Sequence, residues 1–301
     1  MNKIVKSNIS HSPSLLKSVS NVSGWTGISR IFGLIRDIST TGLLGATAFH
    51  DIFVITLKIP NMFRRFFAEG AFNQAFVPIY SDYVNEGDND AAKKYLNAVA
   101  GFLITFLFFF TLAVLIFAPI FILVFAPGFY FDPLKKDLSI LVLRIMFPYL
   151  ALISLVAFAG GIQNTHEKYS IPAATPIIFN LCLIIAAIFI APQYEIPIFV
   201  LAWGVILAGF LQLLIQYFPL ATIGRMPKPT WDINNKGLKK FLVLILPAIL
   251  AGGITQINLL IDTIFASLLE TGSPTWLYVS DRLIQLPMLS LIHISEPTRH
   301  T

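Results

Sequence analysis

Long apolar runs separated by short polar gaps set the plan of this chain. Eight of them read as helical spans, over residues 20–44, 49–79, 95–126, 138–162, 173–192, 196–219, 240–269 and 274–288, the last cut short. A helix needs about 20 apolar residues to cross a bilayer, and the period-two alternation of transmembrane barrel strands is absent. The pattern predicts an all-α polytopic membrane protein, a helical bundle. Pro60, Pro119, Pro148 and Pro247 fall inside the second, third, fourth and seventh spans. Proline removes a backbone donor and crowds the preceding turn, so each predicts a kink. Kinks occur in transporters and in static bundles alike and do not choose between them.

The polar gaps suggest the domain organisation. Ser81–Ala92 (SDYVNEGDNDAA) reads as an acidic loop, and Arg225–Lys240 (RMPKPTWDINNKGLKK) as a hinge with two prolines that separates lobes. The expected divisions are an N-terminal tail over 1–18, a six-helix transmembrane lobe over 19–222, an inter-lobe loop over 223–240 and two helices of a second lobe over 241–288. A short internal repeat supports this. Ile35–Gly45 aligns with Leu260–Glu270, setting Asp37 opposite Asp262 across six helices, an even number that gives both copies one orientation. The tail Leu289–Thr301 (LSLIHISEPTRHT) abandons the apolar pattern and resembles a translated sequencing adapter. The expectation is that the natural sequence continues differently after Met288; a genuine polar terminus is the alternative.

Composition agrees with a membrane protein: 56% of the 301 residues are hydrophobic, 12% are charged and mean hydropathy is +0.75, against about 25% charged in soluble domains. The net charge of +5 would suggest nucleic acid in a soluble protein. Here it follows topology instead. With a cytoplasmic N-terminus, eleven Lys and Arg fall in loops on one side and only Lys135 and Lys136 on the other, as the positive-inside rule requires. The N-terminus has no apolar segment of a cleaved signal peptide. Cys182 stands alone, and five scattered histidines show no ligand spacing, so neither a disulfide, a metal nor another cofactor is expected. No nucleophile–base pair or phosphate-binding glycine loop is present, and an enzyme is not expected.

The first two spans carry Arg30, Arg36, Asp37, Asp51, Lys58, Arg64, Arg65 and Glu69. A charge near the centre of a membrane helix costs about 2.5–3.5 kcal/mol, so this density requires a polar cavity between helices. Ser29, Gly33 and Arg36 share one helical face, Arg30 and Asp37 form the adjoining stripe, and Asp51, Lys58 and Arg65 repeat at sevens along the second span. Later spans add Arg144, Asp262, Asp281 and Arg282. Snorkelling to the headgroups accounts for Arg144 and competes with a gating role for Arg64 and Arg65. Arginine presents a planar fork suited to phosphate and carboxylate oxygens, so the cationic excess points to an anionic, phosphorylated substrate.

The segments SRIFGLIRD (Ser29–Asp37), LKIPNMFRRFFAEGAFNQAFVPIY (Leu57–Tyr80), FAPGF (Phe125–Phe129), FPYL (Phe147–Leu150) and YVSDRLIQLP (Tyr278–Pro287) closely resemble the MurJ (MviN) family of lipid II flippases. The resemblance implies a MATE-like fold of the multidrug, oligosaccharidyl-lipid and polysaccharide exporter superfamily. Such proteins have two six-helix lobes around a cationic cavity, plus two further helices. This chain would hold the first lobe and the first two helices of the second. It further implies residence in the bacterial cytoplasmic (inner) membrane. There the protein would move undecaprenyl-pyrophosphate-linked disaccharide-pentapeptide from the cytoplasmic to the periplasmic leaflet for peptidoglycan synthesis, by alternating access.

Carried over by motif, the cavity residues are Ser29, Arg30, Arg36, Asp37, Asp51, Asn61 and Arg282, with Asp262 added from the repeat alignment. Arg36 and Arg282 would hold the pyrophosphate and Asp37 would orient them. Arg64, Arg65 and Glu69 would form the gate. The implied partners are lipid II and membrane lipids, with cell-wall synthesis proteins as candidates and no nucleic acid. With half of the second lobe absent, the 301-residue chain is expected to be inactive alone. Two alternatives stay open: a flippase for another lipid-linked oligosaccharide of O-antigen type, and a non-transporting scaffold whose charges pair within the bundle.

Overall fold

The computed structural model describes residues 13–65 and 71–295, and among them every regular element is a helix. In chain order the α-helices are α1 (Pro13–Leu44), α2 (Ala48–Arg64), α3 (Ala71–Asn85), α4 (Asn89–Ile116), α5 (Ala118–Phe125), α6 (Pro127–Tyr130), α7 (Pro133–Met146), α8 (Tyr149–Thr165), α9 (Ser170–Ile185), α10 (Pro197–Ile223), α11 (Lys236–Leu268) and α12 (Ser273–Ser295), and a π-helical turn (Ala186–Ile190) and a 3-10 turn (Ala191–Gln193) extend α9.

Four stretches among the described residues are long and apolar enough to cross a membrane: Asn89–Ile116, Pro133–Thr165, Ser170–Gln193 and Pro197–Ile223. The helices that carry the ionisable constellation, α1, α2 and α12, are not among them. α2, at 17 residues, is shorter than a full span, and all three form helices despite their charges because the backbone hydrogen bonds are satisfied within each helix.

The prolines act in two ways. At Pro119 the expected kink is a break, with α4 ending before Phe117 and α5 beginning at Ala118; at Pro148 the chain passes from α7 to α8. Pro60 and Pro247 lie inside α2 and α11, which continue past them. The second span is described in two parts. α2 (Ala48–Arg64) and α3 (Ala71–Asn85) cover most of 49–79, and residues 66–70 lie outside the described residues. The acidic loop is shorter than its composition suggested. α3 runs to Asn85 and α4 starts at Asn89, because the Asp88 carboxylate accepts the Ala91 N–H at 2.9 Å and caps α4.

Two apolar clusters form the core. One joins Ile52 and Ile55 of α2 to Leu143 and Met146 of α7, Leu150 of α8, Leu183 of α9, and Leu201 and Val205 of α10. The other joins Phe72, Phe76 and Tyr80 of α3 to Tyr95 and Val99 of α4, Phe158 of α8 and Phe241 of α11. Large apolar side chains such as Phe108, Phe109, Trp203 and Phe210 point outward, as expected where the surrounding solvent is hydrocarbon.

The segment between α10 and α11 is docked, not free. Thr230 donates its N–H to the Asn97 carbonyl at 3.0 Å, and the Asn97 side chain accepts the Lys228 N–H at 2.7 Å. Gly101 makes this possible: a Cβ there would lie 2.1 Å from the Thr230 carbonyl oxygen.

Candidate functional site

A cavity of about 630 Å³ lies between α1, α2 and α8–α12. Among the described residues its wall carries six basic side chains, Arg30, Arg36, Lys58, Arg64, Arg65 and Arg282, and two carboxylates, Asp37 and Asp281.

Asp37 is the hub of this wall. Its Oδ1 accepts from Arg36 Nη2 at 2.6 Å, Arg36 Nε at 3.0 Å and the Tyr278 hydroxyl at 2.6 Å. Its Oδ2 faces Arg282 Nε at 3.1 Å. One carboxylate on α1 thereby holds an arginine from its own helix and one from α12. The side chains of Asp37 and Arg36 are 8% and 11% exposed, whereas Arg282 is 42% exposed. In so closed a setting charge-assisted hydrogen bonds are stronger and each partner depends on the other, since a buried charge left alone is costly.

Arg36 is fixed from the opposite side as well. Its Nη1 donates to Asn180 Oδ1 at 3.0 Å, and its guanidinium carbon lies 5.6 Å from the centre of the Phe179 ring. Asn180 in turn donates through Nδ2 to the Ser29 carbonyl at 3.0 Å. α9 therefore sets both the position of α1 and the direction of its arginine.

The remaining sequence-derived residues divide. Asn61, Arg64 and Arg65 line the cavity, and Arg30 lies exposed on its wall. Glu69 falls outside the described residues. Ser29 is half-buried and not in the wall; it contributes its backbone carbonyl, not its hydroxyl, to the arrangement. Asp262 is exposed and also outside the wall, although it and Asp281 supply the negative charge that acts on Lys58.

Asp51 corrects the heptad reading. Lys58 and Arg65 line the cavity, but Asp51 is fully buried and not in its wall. It accepts from Gly272 N–H at 2.6 Å, Thr275 N–H at 3.0 Å and the Thr275 hydroxyl at 2.6 Å. Its place in the first turn of α2 brings it against the first turn of α12, whose free N–H groups attract an anion. The carboxylate acts as a helix cap supplied from another helix.

Several wall residues had no assigned role from sequence. Tyr278 was visible only as part of a motif. His50 is fully buried, lines the cavity and lies 3.2 Å through Nδ1 from the Thr275 hydroxyl. Because that hydroxyl donates to Asp51, the imidazole Nδ1–H is the donor to it. Asn180, Gln212 and Gln216 line the wall from α9 and α10. A signal for them existed, since each is a polar residue inside a long apolar run, the pattern expected of a helix facing a cavity. Arg144, read as snorkelling, donates through Nε to the Leu115 carbonyl at 3.0 Å and so satisfies the last turn of α4 before the Phe117 break.

A family model described as "Lipid II flippase MurJ" matches residues 40–298. The chain belongs to the lipid II flippase MurJ family. It is 42% identical over 274 residues to the "Probable lipid II flippase MurJ" of Buchnera aphidicola subsp. Acyrthosiphon pisum, covering 91% of this chain and 54% of that protein. It is 38% identical over 270 residues to the "Probable lipid II flippase MurJ" of Haemophilus influenzae, covering 87% and 53%. A solved structure, "Lipid II flippase MurJ, inward closed conformation", superposes with a TM-score of 0.74 at 27% identity, covering 88% of this chain and 54% of that one. The chain thus spans about half the length of the curated MurJ relatives it matches.

Proposed function

We propose that this chain forms the first six-helix lobe, residues 19–222, and the opening helices of the second, residues 241–288, of a MATE-like flippase. The flippase carries lipid II from the cytoplasmic to the periplasmic leaflet of the bacterial inner membrane. The observation that carries this reading is the Asp37 hub, which ties Arg36 of α1 to Arg282 of α12 at a cavity wall with six basic side chains and two carboxylates. The excess suits a pyrophosphate. Its oxygens compete with Asp37 for the two guanidinium groups, so substrate entry weakens the α1–α12 tie and lets the lobes rock. Arg64, Arg65 and Glu69 serve as the gate. A unit charge crossing 100 mV gains about 2.3 kcal/mol, enough to bias such a cycle. The N-terminus is cytoplasmic in this reading, supported by the eleven-to-two distribution of basic loop residues.

The test is a chimera in which this chain replaces the matching half of the Haemophilus relative, expressed in cells depleted of their own lipid II flippase. The chimera should restore growth. Arg36→Ala and Arg282→Ala should abolish rescue with the protein still at normal abundance in the membrane. An inserted chimera that cannot support growth overturns the proposal. If the charges serve only the bundle, Arg36→Ala lowers abundance instead and the surviving protein stays active.

A further inference from the structure

α9 and α10 build a second polar group at the cavity wall, backed by Gln163 of α8, separate from the arginines and without charge. Gln163, Thr175, Gln212 and Gln216 are each no more than 3% exposed. Gln163 Nε2 donates to Gln216 Oε1, Gln216 Nε2 donates to Thr175 Oγ1 at 2.8 Å, and Gln212 Nε2 donates to the Thr175 carbonyl at 3.1 Å. The Thr175 hydroxyl spends its own proton on the Ile171 carbonyl at 2.7 Å. Every donor arm named here is directed at a protein acceptor, while Gln163 Oε1 and Gln212 Oε1 have no partner among the described residues.

An unpaired amide oxygen out of contact with water costs about 1–3 kcal/mol, so a cluster built only to hold three helices together should close its acceptors as well. Thr175, Gln212 and Gln216 line the cavity. The open valence at Gln212 therefore calls for a donor that arrives from the cavity, a hydroxyl or an amide N–H.

The position of the cluster narrows the ligand. Thr175 precedes Asn180, the residue that holds Arg36, by five positions on α9. At 1.5 Å per residue the cluster lies about 7–8 Å along the helix from the arginine contact. Five residues also turn the helix by about 140°, but Thr175 and Asn180 both line the cavity, so a group covalently next to a pyrophosphate held at Arg36 can reach the cluster across it. We propose that the Thr175–Gln212–Gln216 cluster is a neutral subsite for the saccharide bonded to the pyrophosphate, read through its hydroxyl and acetamido donors. The proposal rests on the lipid-linked substrate reading above. It assigns the phosphate to α1 and α12, and recognition of the sugar to α9 and α10.

The test measures binding to the chimera described above, which supplies the other half of the relative, in lipid nanodiscs, using undecaprenyl pyrophosphate and undecaprenyl-pyrophosphoryl disaccharide without peptide. Gln212→Leu should weaken the glycosylated lipid about tenfold, the loss of one or two neutral hydrogen bonds, and leave undecaprenyl pyrophosphate unchanged. Arg36→Ala should weaken both. Equal affinity of Gln212→Leu and the unaltered chimera for the disaccharide lipid overturns the saccharide subsite. Failure of the unaltered chimera to bind either lipid overturns the substrate reading itself. Should the variant not fold, a disaccharide lipid bearing a photoreactive acetamido group decides the matter on the unaltered chimera. Adducts on α9 and α10 around Thr175 and Gln212 support the subsite, and adducts confined to other segments refute it.

Discussion

Asp37 and Asp51 show how similar side chains take different work from their neighbours. Asp37 neutralises two arginines and holds a tyrosine hydroxyl, so Asp37→Ala should strand a buried Arg36 and cost about 3–5 kcal/mol, while Asp37→Asn keeps part of the hydrogen bonding and loses less. Thermal unfolding in nanodiscs ranks the two. Asp51→Ala removes three acceptor contacts at the start of α12. With charge-assisted bonds worth about 1.5–3 kcal/mol each, it should destabilise the protein without altering cavity charge, a distinction that ligand binding on the surviving folded fraction can check. His166, in the turn between α8 and α9, faces the Tyr80 hydroxyl at 3.1 Å through Nε2. Burial, and then the charge of Arg225, hold its pKa below the ordinary 6.5. The unfolded chain binds this proton more readily, so the stabilisation is present above about pH 6.5 and is lost as pH falls below it. The melting temperature should drop between about pH 7.5 and about pH 5.5, and His166→Phe should flatten that part of the profile.

At the level of elements, proline has effect only where the helix can be released. Pro119 and Pro148 coincide with breaks flanked by the well-packed Ala118 and Phe147, whereas the surrounding bundle carries α2 and α11 past Pro60 and Pro247. Close backbone approach is another constraint that an apolar pattern does not reveal. Gly101 of α4 lies under the Thr230 backbone, and Gly128 of α6 under the Ser267 carbonyl, where a Cβ would come within 1.9 Å. These two glycines let the α10–α11 segment pack on α4 and the end of α11 pack on α6. Gly101→Ala should therefore undock the α10–α11 segment from α4, seen as new protease cleavage near residues 225–235, with α7–α10 left intact. The same cleavage pattern in the unaltered protein and the variant would contradict this. The repeat alignment equated α1 with α11 through Asp37 and Asp262, but only Asp37 lines the cavity.

For the whole molecule, two carboxylates tie α12 to α2 and α1, Asp51 at its first turn and Asp37 one to two turns further on, at Tyr278 and Arg282. Combining Asp37→Asn with Asp51→Asn should accelerate amide hydrogen exchange along α12 and leave α8–α10 protected; uniform loss of protection would mean the carboxylates hold the entire bundle. The helices, their apolar character and the concentration of arginines in the first two spans were legible in the sequence, because hydropathy, helical period and charge density are properties of neighbouring residues. The MurJ motifs were legible for the same reason. The partner of each charge was not. Asp37 reaches Tyr278 and Arg282, and Asp51 reaches Gly272 and Thr275, across more than 200 residues of chain. A heptad spacing places Asp51, Lys58 and Arg65 on one stripe but does not say which neighbour lies over each turn. The sequence by itself determined a charged, helical membrane protein with arginines inside its first helix. Only the packing of α9 and α12 against α1 and α2 decided which carboxylate serves the cavity and which closes a helix end, because hydrogen bonding and desolvation act through contacts that exist only in the folded chain.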